Sequence, residues 1–102
     1  MVITSFADPV TEKIFLGEKL TRKEERALGD LNLMKAQERL AVLNQASGKE
    51  LMTLPFLHYH ALRGTRRYSI DANSRRSKWR ITFTWVGEEH YDVQLVLIED
   101  TH

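Results

Sequence analysis

One histidine stands ahead of three arginines and a glycine in the segment HALRGTRRYS, residues 60–69. An imidazole titrates near neutral pH, so His60 is a candidate general acid or base. Guanidinium groups pair bidentately with phosphate oxygens, which makes Arg63, Arg66 and Arg67 candidate phosphate ligands. The segment therefore predicts binding of, or proton transfer on, a phosphate ester. The competing interpretation is a solvated loop, because single charged residues are mostly exposed.

Basic residues are concentrated in one part of a chain that is nearly neutral as a whole. The formal net charge of the 102 residues is +1, but residues 60–80 hold seven Lys or Arg against Asp71 alone, a local net charge of +6. The cations of this window outside the first segment are Arg75, Arg76, Lys78 and Arg80. A local basic field favours an anionic partner, and arginine pairs on both sides of a short strand suit a polyanion with repeating phosphates.

Length and composition limit the class of protein. The 102 residues predict one domain, 1–102, with its own core, and the 42% hydrophobic and 28% charged residues are typical of a globular chain. The lack of cysteine excludes disulfide frameworks, thiolate zinc sites and cysteine nucleophiles. Neither a membrane-spanning apolar run nor a signal-peptide pattern is found, so we expect a cytoplasmic protein without a membrane partner.

The first half of the chain predicts helices. Asp8 followed by Pro9 is typical of a helix start, and Gly17 of its end. A longer helix is predicted from Asp30 onward, after a charged segment, residues 21–29, that favours one or two helical turns.

The second half predicts strands. In KWRITFTW, residues 78–85, three aromatic residues and Ile81 alternate with polar residues, which predicts that Arg80 projects from the open face of a sheet. The segment HYDVQLVLI predicts a last strand with Tyr91, Val93, Leu95 and Leu97 on one face. The predicted fold class is α+β, with N-terminal helices packed on one face of an antiparallel β-sheet.

Other histidines and aromatic residues allow further interpretations. His58 and His60 form an H-x-H pair that could begin a metal site, but no spacing requires a third ligand, so we expect no metal and no cofactor. Tyr59 is the aromatic residue most available to stack on a base. If the last strand joins the sheet, Asp100 and His102 lie within a few residues of its end.

Residues 56–102 resemble the HigB-like branch of the RelE/ParE superfamily, the toxins of type II toxin–antitoxin systems. The segments that carry the resemblance are, in order, LHYHALRG, RYSI, KWRITF, HYDVQLVLI and the ending EDTH. The family pattern matches His60, Arg63 and Gly64, then Arg76 three residues before Trp79, then Arg80, Ile81 and Phe83, then Tyr91 and Asp92, then Asp100 and His102. Thr101 departs from a family tyrosine, and Lys78 stands in place of asparagine.

The resemblance implies a RelE-like fold and a ribosome-dependent mRNA endoribonuclease, an mRNA interferase. Such a toxin cleaves mRNA in the ribosomal A site by attack of a 2′-hydroxyl on the adjacent phosphate, which inhibits translation. The resemblance also implies a cognate antitoxin, often a HigA-like helix-turn-helix protein, besides the ribosome and mRNA as partners.

The resemblance further implies residue roles. Arg63, Arg76 and Arg80 would stabilise charge on the phosphate, and His60 and His102 would form the acid–base pair. Asp100 would orient one of the histidines or the RNA. The RNA backbone would be bound by Arg66, Arg67, Arg75 and Lys78. Two other classes stay open: a non-catalytic RNA- or ribosome-binding module of the same fold, which Thr101 favours, and an interaction domain for an acidic protein.

Overall fold

The structure, a computed structural model, describes residues 3–101. These residues form helices followed by an antiparallel sheet, which confirms the α+β class. The α-helices are α1 (Pro9–Leu16), α2 (Arg22–Leu28), α3 (Leu33–Leu43) and α4 (Gly48–Leu51), followed by a 3₁₀ turn at Pro55–Leu57. The strands are β1 (His60–Ala61), β2 (Tyr68–Asp71), β3 (Trp79–Val86) and β4 (Asp92–Asp100). Within residues 3–101, no helix has the length and apolar character needed to cross a membrane.

Local capping explains where the helices begin and end. The Asp8 side chain accepts a hydrogen bond from the Thr11 N–H at 2.9 Å, and Gly17 adopts the left-handed conformation after the last turn of α1, as predicted. The longer helix begins at Leu33 rather than near Asp30, because the Asn32 side chain accepts a hydrogen bond from the Lys35 N–H at 3.0 Å.

The four strands form one meander in the spatial order β1-β2-β3-β4, with every neighbouring pair antiparallel. Residues 3–6 add two parallel bridges to β4, at Ile3–Val93 and Phe6–Val96. The short edge strand β1 brings His60 opposite Ser69. This register places His60 at the edge of the sheet, beside β2.

The core lies on one face of the sheet, against the helices. Ile81 and Phe83 are fully buried and Trp79 and Trp85 nearly so, which confirms the predicted apolar side of β3. Ile14 of α1 and Leu40 of α3 belong to the same buried cluster. Each large apolar side chain buried in this way stabilises the fold by about 1.5–3 kcal/mol.

A β-bulge changes the alternation of β4. The register shifts between Thr82 and Thr84, and Leu95 on the facing strand takes a left-handed φ of 54°. The predicted common face of Tyr91, Val93, Leu95 and Leu97 is therefore wrong. Tyr91 and Leu95 are exposed, and the buried positions of β4 are Val93, Val96 and Ile98.

Candidate nucleic-acid interface

The face of the sheet opposite the core carries a patch of polar side chains, here called the polar face. Antiparallel partners point their side chains to the same side, so the register arranges these residues in rows. One row consists of His60, Ser69, Thr82 and the apolar Leu97, and the next of Asp71, Arg80 and Glu99. Thr84 and the Arg67 guanidinium complete the polar face.

Arg80 is buried within the polar face and does not project from it. Its side chain is only 5% exposed, and its Nε lies 3.3 Å from the Asp71 carboxylate. Its Nη1 donates to the Ser77 carbonyl and, at 2.8 Å, to the Trp79 carbonyl. The prediction of an open Arg80 is wrong, although the alternation assigned the correct face, because residues 72–78 fold back over the guanidinium. Asp71 neutralises its charge.

A second arginine, Arg39 of α3, supports the same turn from the helical layer. Its guanidinium donates to the carbonyls of Asp71 at 3.0 Å and Asn73 at 3.2 Å, and lies 4.9 Å from the centre of the Phe56 ring. Arg39 was not among the predicted site residues. The sequence signal for its inward position is helical spacing: Arg39 lies three residues after Ala36 and four before Leu43, both of which are buried.

Arg67 extends across the polar face at the other end of β2. Its Nη2 donates to the Thr82 hydroxyl at 2.8 Å and to the Leu95 carbonyl at 2.7 Å. The Thr82 hydroxyl in turn donates to a Glu99 carboxylate oxygen at 2.6 Å. Burial lowers the pKa of the Arg67 guanidinium and nearby Glu99 opposes that shift, so Arg67 stays charged at neutral pH. Glu99 was not predicted as a site residue.

Two buried hydroxyl groups of the polar face have unused hydrogen-bonding capacity. The Ser69 and Thr84 hydroxyls find no hydrogen-bond partner among residues 3–101. Ser69 is paired with Thr82 across β2 and β3, and Thr84 follows Thr82 by two residues on β3. A buried hydroxyl without a hydrogen-bond partner destabilises the fold by about 1–3 kcal/mol. Such hydroxyls are uncommon in folded proteins.

His60 is exposed at the edge of the polar face, and its ring is oriented by the chain. Its Nδ1 lies 2.8 Å from the His58 carbonyl oxygen, in a turn where His58 takes a left-handed φ of 50°. A carbonyl only accepts hydrogen bonds, so Nδ1 carries the proton and Nε2 is the nitrogen left for proton exchange. The described part of the chain has no group of three His, Asp or Glu residues arranged to hold a metal ion.

Exposed cations surround the polar face at both ends of β2; we call them the basic rim. They are Arg63 and Arg66 in the loop before β2, and Arg75, Arg76 and Lys78 in the turn after it. The two groups are about 13 Å apart, since β2 has four residues that each rise about 3.3 Å. Arg75 lies 3.5 Å from Asp71, and Lys78 lies 5.2 Å from the centre of the Trp79 ring.

The predicted residues at the end of the last strand are not brought to the polar face by the described structure. Asp100 pairs with Trp79, whose side chain points to the core, so Asp100 lies on the side of the helices. His102 lies outside the described residues. The neighbour of Asp100, Glu99, is the carboxylate that faces Arg80 and Thr82.

Tyr59 is part of the aromatic cluster on the core side and is not free to stack on a base. Its ring stacks on Tyr68 with the centres 5.7 Å apart, and its hydroxyl accepts a hydrogen bond from the Trp85 Nε1 at 3.1 Å. Burial raises the pKa of the Tyr59 hydroxyl. The prediction for Tyr59 is wrong because the chain before β1 turns its ring inward.

No model of a known protein family matches the chain. Among the curated proteins, none matches it. The solved structures contain no match either.

Proposed function

We propose that the protein is a ribosome-dependent mRNA endoribonuclease, the toxin of a type II toxin–antitoxin system, with a RelE-like fold of the HigB-like branch. The observation that carries the proposal is the basic rim, whose five exposed cations lie at both ends of β2 around a polar face that includes His60. The order of motifs through residues 56–102 is the second support. An α+β chain with helices before an antiparallel meander is compatible with both.

Cleavage of RNA by its own 2′-hydroxyl needs few groups. A base removes the 2′-hydroxyl proton, an acid protonates the leaving 5′-oxygen, and cations stabilise the additional negative charge on the phosphate. His60 presents its Nε2 for one proton transfer. Arg67, with Arg63 in the loop ahead of it, supplies the positive charge. The Arg80 guanidinium pairs with Asp71 and donates to backbone carbonyls, and these contacts hold the turn 72–78 in place. In this proposal, Arg80 therefore positions Arg75 and Arg76.

The basic rim binds the RNA backbone in this proposal. Arg63, Arg66, Arg75, Arg76 and Lys78 are all exposed, and a spacing of about 13 Å between the two groups allows contact with several phosphates of one strand. Binding of this kind weakens as salt rises, because each phosphate contact releases counterions.

Such a nuclease requires an inhibitor, and the proposal includes a cognate antitoxin, a HigA-like helix-turn-helix protein. Co-expression with the product of the adjacent open reading frame tests this part. A stable complex that suppresses RNA cleavage is expected. Separate elution of the two proteins, with cleavage unaffected, would count against the proposed partner.

Primer extension on mRNA in a reconstituted translation system tests the activity. The reactions contain the protein with ribosomes, the protein without ribosomes, and ribosomes alone. Cuts inside codons that need both protein and ribosomes are expected. Cuts that appear without ribosomes would retain the nuclease and remove the A-site mechanism.

A non-catalytic RNA- or ribosome-binding domain is the second candidate. The engagement of Arg80 with Asp71 and three backbone carbonyls favours it, because a buried and neutralised arginine is poorly placed to stabilise a phosphate. This candidate predicts salt-sensitive ribosome binding without any cut in the same primer-extension reactions.

A further inference from the structure

Glu99 and Asp100 are adjacent at the end of β4, and only one of these two side chains lies on the polar face of the sheet. Successive side chains of a strand point to opposite sides of the sheet, so Glu99 and Asp100 cannot both face it. Glu99 is paired with Arg80 and accepts the Thr82 hydrogen bond at 2.6 Å, whereas Asp100 is paired with Trp79 on the core side. The carboxylate available to a substrate on the polar face is therefore Glu99.

We propose that Glu99 is a catalytic residue and serves as the general base toward the attacking 2′-hydroxyl; this inference rests on the proposed function. Its Oε2 is held by Thr82, and its Oε1 accepts no hydrogen bond from the described residues, which leaves that oxygen for the substrate. The side chain is partly accessible at the surface of β4. A carboxylate is among the side chains that commonly act as general bases.

Glu99 and His60 belong to the two outer strands of the four-stranded sheet, on either side of Arg67. They lie on β4 and β1, which are separated by three strand spacings, or about 14 Å between backbones. The Arg67 guanidinium, bonded to Thr82 on β3, lies between these strands and meets the charge of the phosphate.

The proposed step balances in atoms and protons. Glu99 takes the proton of the 2′-hydroxyl, and the 2′-oxygen forms a bond to phosphorus. The bond between phosphorus and the 5′-oxygen breaks, and its electron pair stays on that oxygen, which takes the Nε2 proton of a His60 ring protonated on both nitrogens. The products are a 2′,3′-cyclic phosphate and a 5′-hydroxyl. Proton exchange with solvent then restores Glu99 and His60.

Single-turnover cleavage of ribosome-bound mRNA tests the inference with three variants. Glu99→Gln keeps the shape and a hydrogen-bond acceptor for Thr82 but removes the base, so a loss of about 10²–10⁴-fold in the cleavage rate is expected. Glu89→Gln removes the same charge in the exposed β3–β4 turn and is expected to cleave at the parental rate.

Ribosome binding separates a catalytic loss from a binding loss. Glu99→Gln removes a negative charge near Arg67, so its ribosome affinity is expected to equal or exceed that of the parent. Glu99→Asp keeps the charge but withdraws it by one methylene, and is expected to cleave slowly while it folds and binds normally. It decides the question if Glu99→Gln does not fold.

The possible failures are distinguishable. If the parent cleaves and Glu99→Gln or Glu99→Asp cleaves equally fast, the inference about Glu99 is overturned and the proposed function stands. If Glu89→Gln loses as much rate as Glu99→Gln, the loss is not specific to Glu99 and the inference is overturned as well. If the folded parent makes no cut, the proposed function and the inference fall together.

Discussion

Arg80 and Arg67 stand at opposite ends of the polar face and differ in what their guanidinium groups contact. Arg80 is fully enclosed, paired with the buried Asp71 at 3.3 Å and bonded to carbonyls of its own turn. Arg67 is half-buried and bonded to the Thr82 hydroxyl and the Leu95 carbonyl, with Glu99 one hydrogen bond away. The two arginines share a face and a charge but have different environments.

The difference shows how one residue type is enclosed by its own turn at one end of the polar face and left half-buried at the other. A buried charge requires a paired countercharge and full hydrogen bonding, and Arg80 receives both from its surroundings. Arg67 makes fewer contacts, and the hydroxyls of Ser69, paired with Thr82, and of Thr84 have no hydrogen-bond partner among residues 3–101. A phosphate can compete for Arg67 far more easily than for Arg80.

Replacement of Arg80 by methionine should produce the largest loss of stability. It leaves the Asp71 carboxylate, which is 1% exposed, with only the exposed Arg75 at 3.5 Å as a countercharge. Removal of one partner of a buried ion pair lowers the free energy of unfolding by about 3–5 kcal/mol. Urea denaturation measures this change. The control is Arg75→Met, expected to lose less than about 1 kcal/mol because its side chain is 58% exposed.

Arg39→Met tests whether α3 stabilises the turn 72–78 at the Arg80 end of the polar face. The variant loses two charged hydrogen bonds to the Asp71 and Asn73 carbonyls, each worth about 1.5–3 kcal/mol at most when buried. A loss of about 2–3 kcal/mol in the free energy of unfolding is expected. An unchanged denaturation midpoint would show that the turn 72–78 does not depend on α3.

At the Arg67 end of the polar face, Arg67→Met should reduce mRNA cleavage far more than it reduces the stability of the fold. The half-buried side chain gives up two hydrogen bonds whose acceptors are near water or bonded elsewhere, so a stability loss of about 1 kcal/mol is expected. Under the proposed function, mRNA cleavage falls about 10²-fold, because a positioned donor to the phosphate is lost. The reverse pattern, with full cleavage and a large loss of stability, would make Arg67 a structural residue like Arg80. Arg67→Lys controls for charge.

Tyr59→Phe probes the aromatic cluster that lies behind the Arg67 end of the sheet. Loss of the hydrogen bond from Trp85 should lower stability by about 1 kcal/mol at neutral pH. Burial raises the Tyr59 pKa in the folded state, so its contribution is present below pH of about 10 and lost as pH rises through that raised pKa. The variant should therefore lose stability less steeply than the parent above that pH. Equal slopes would contradict a buried Tyr59 hydroxyl.

The smallest expected effects are those of substitutions in the basic rim. One substitution in each of its two groups compares the two ends of β2. Arg66→Gln and Arg76→Gln should change the free energy of unfolding by no more than about 0.5 kcal/mol, since both side chains are exposed. If both bind RNA phosphates, each should reduce the slope of log affinity against log salt by about 0.7. A reduced slope for only one variant would show which end of β2 the RNA follows.

Much of the fold could be predicted from local patterns, because those patterns are determined by neighbouring residues. The Asp8–Pro9 start, the Gly17 end and the alternation of Trp79, Ile81 and Phe83 need only capping and a period of two. The position of Leu95 could not be predicted, because the bulge depends on how β4 pairs with β3.

By itself, the sequence determined the α+β class, the concentration of arginine between residues 60 and 80 and the face on which Arg80 lies. Only the tertiary structure decided that Arg80 is enclosed by its turn, that Tyr59 joins the core, and that Glu99 rather than Asp100 reaches the polar face. The physical reason is that the residues in contact here are distant in the chain. Arg67 meets Thr82 and Leu95 only after β2, β3 and β4 pair, and strand register sets which side chains share a face.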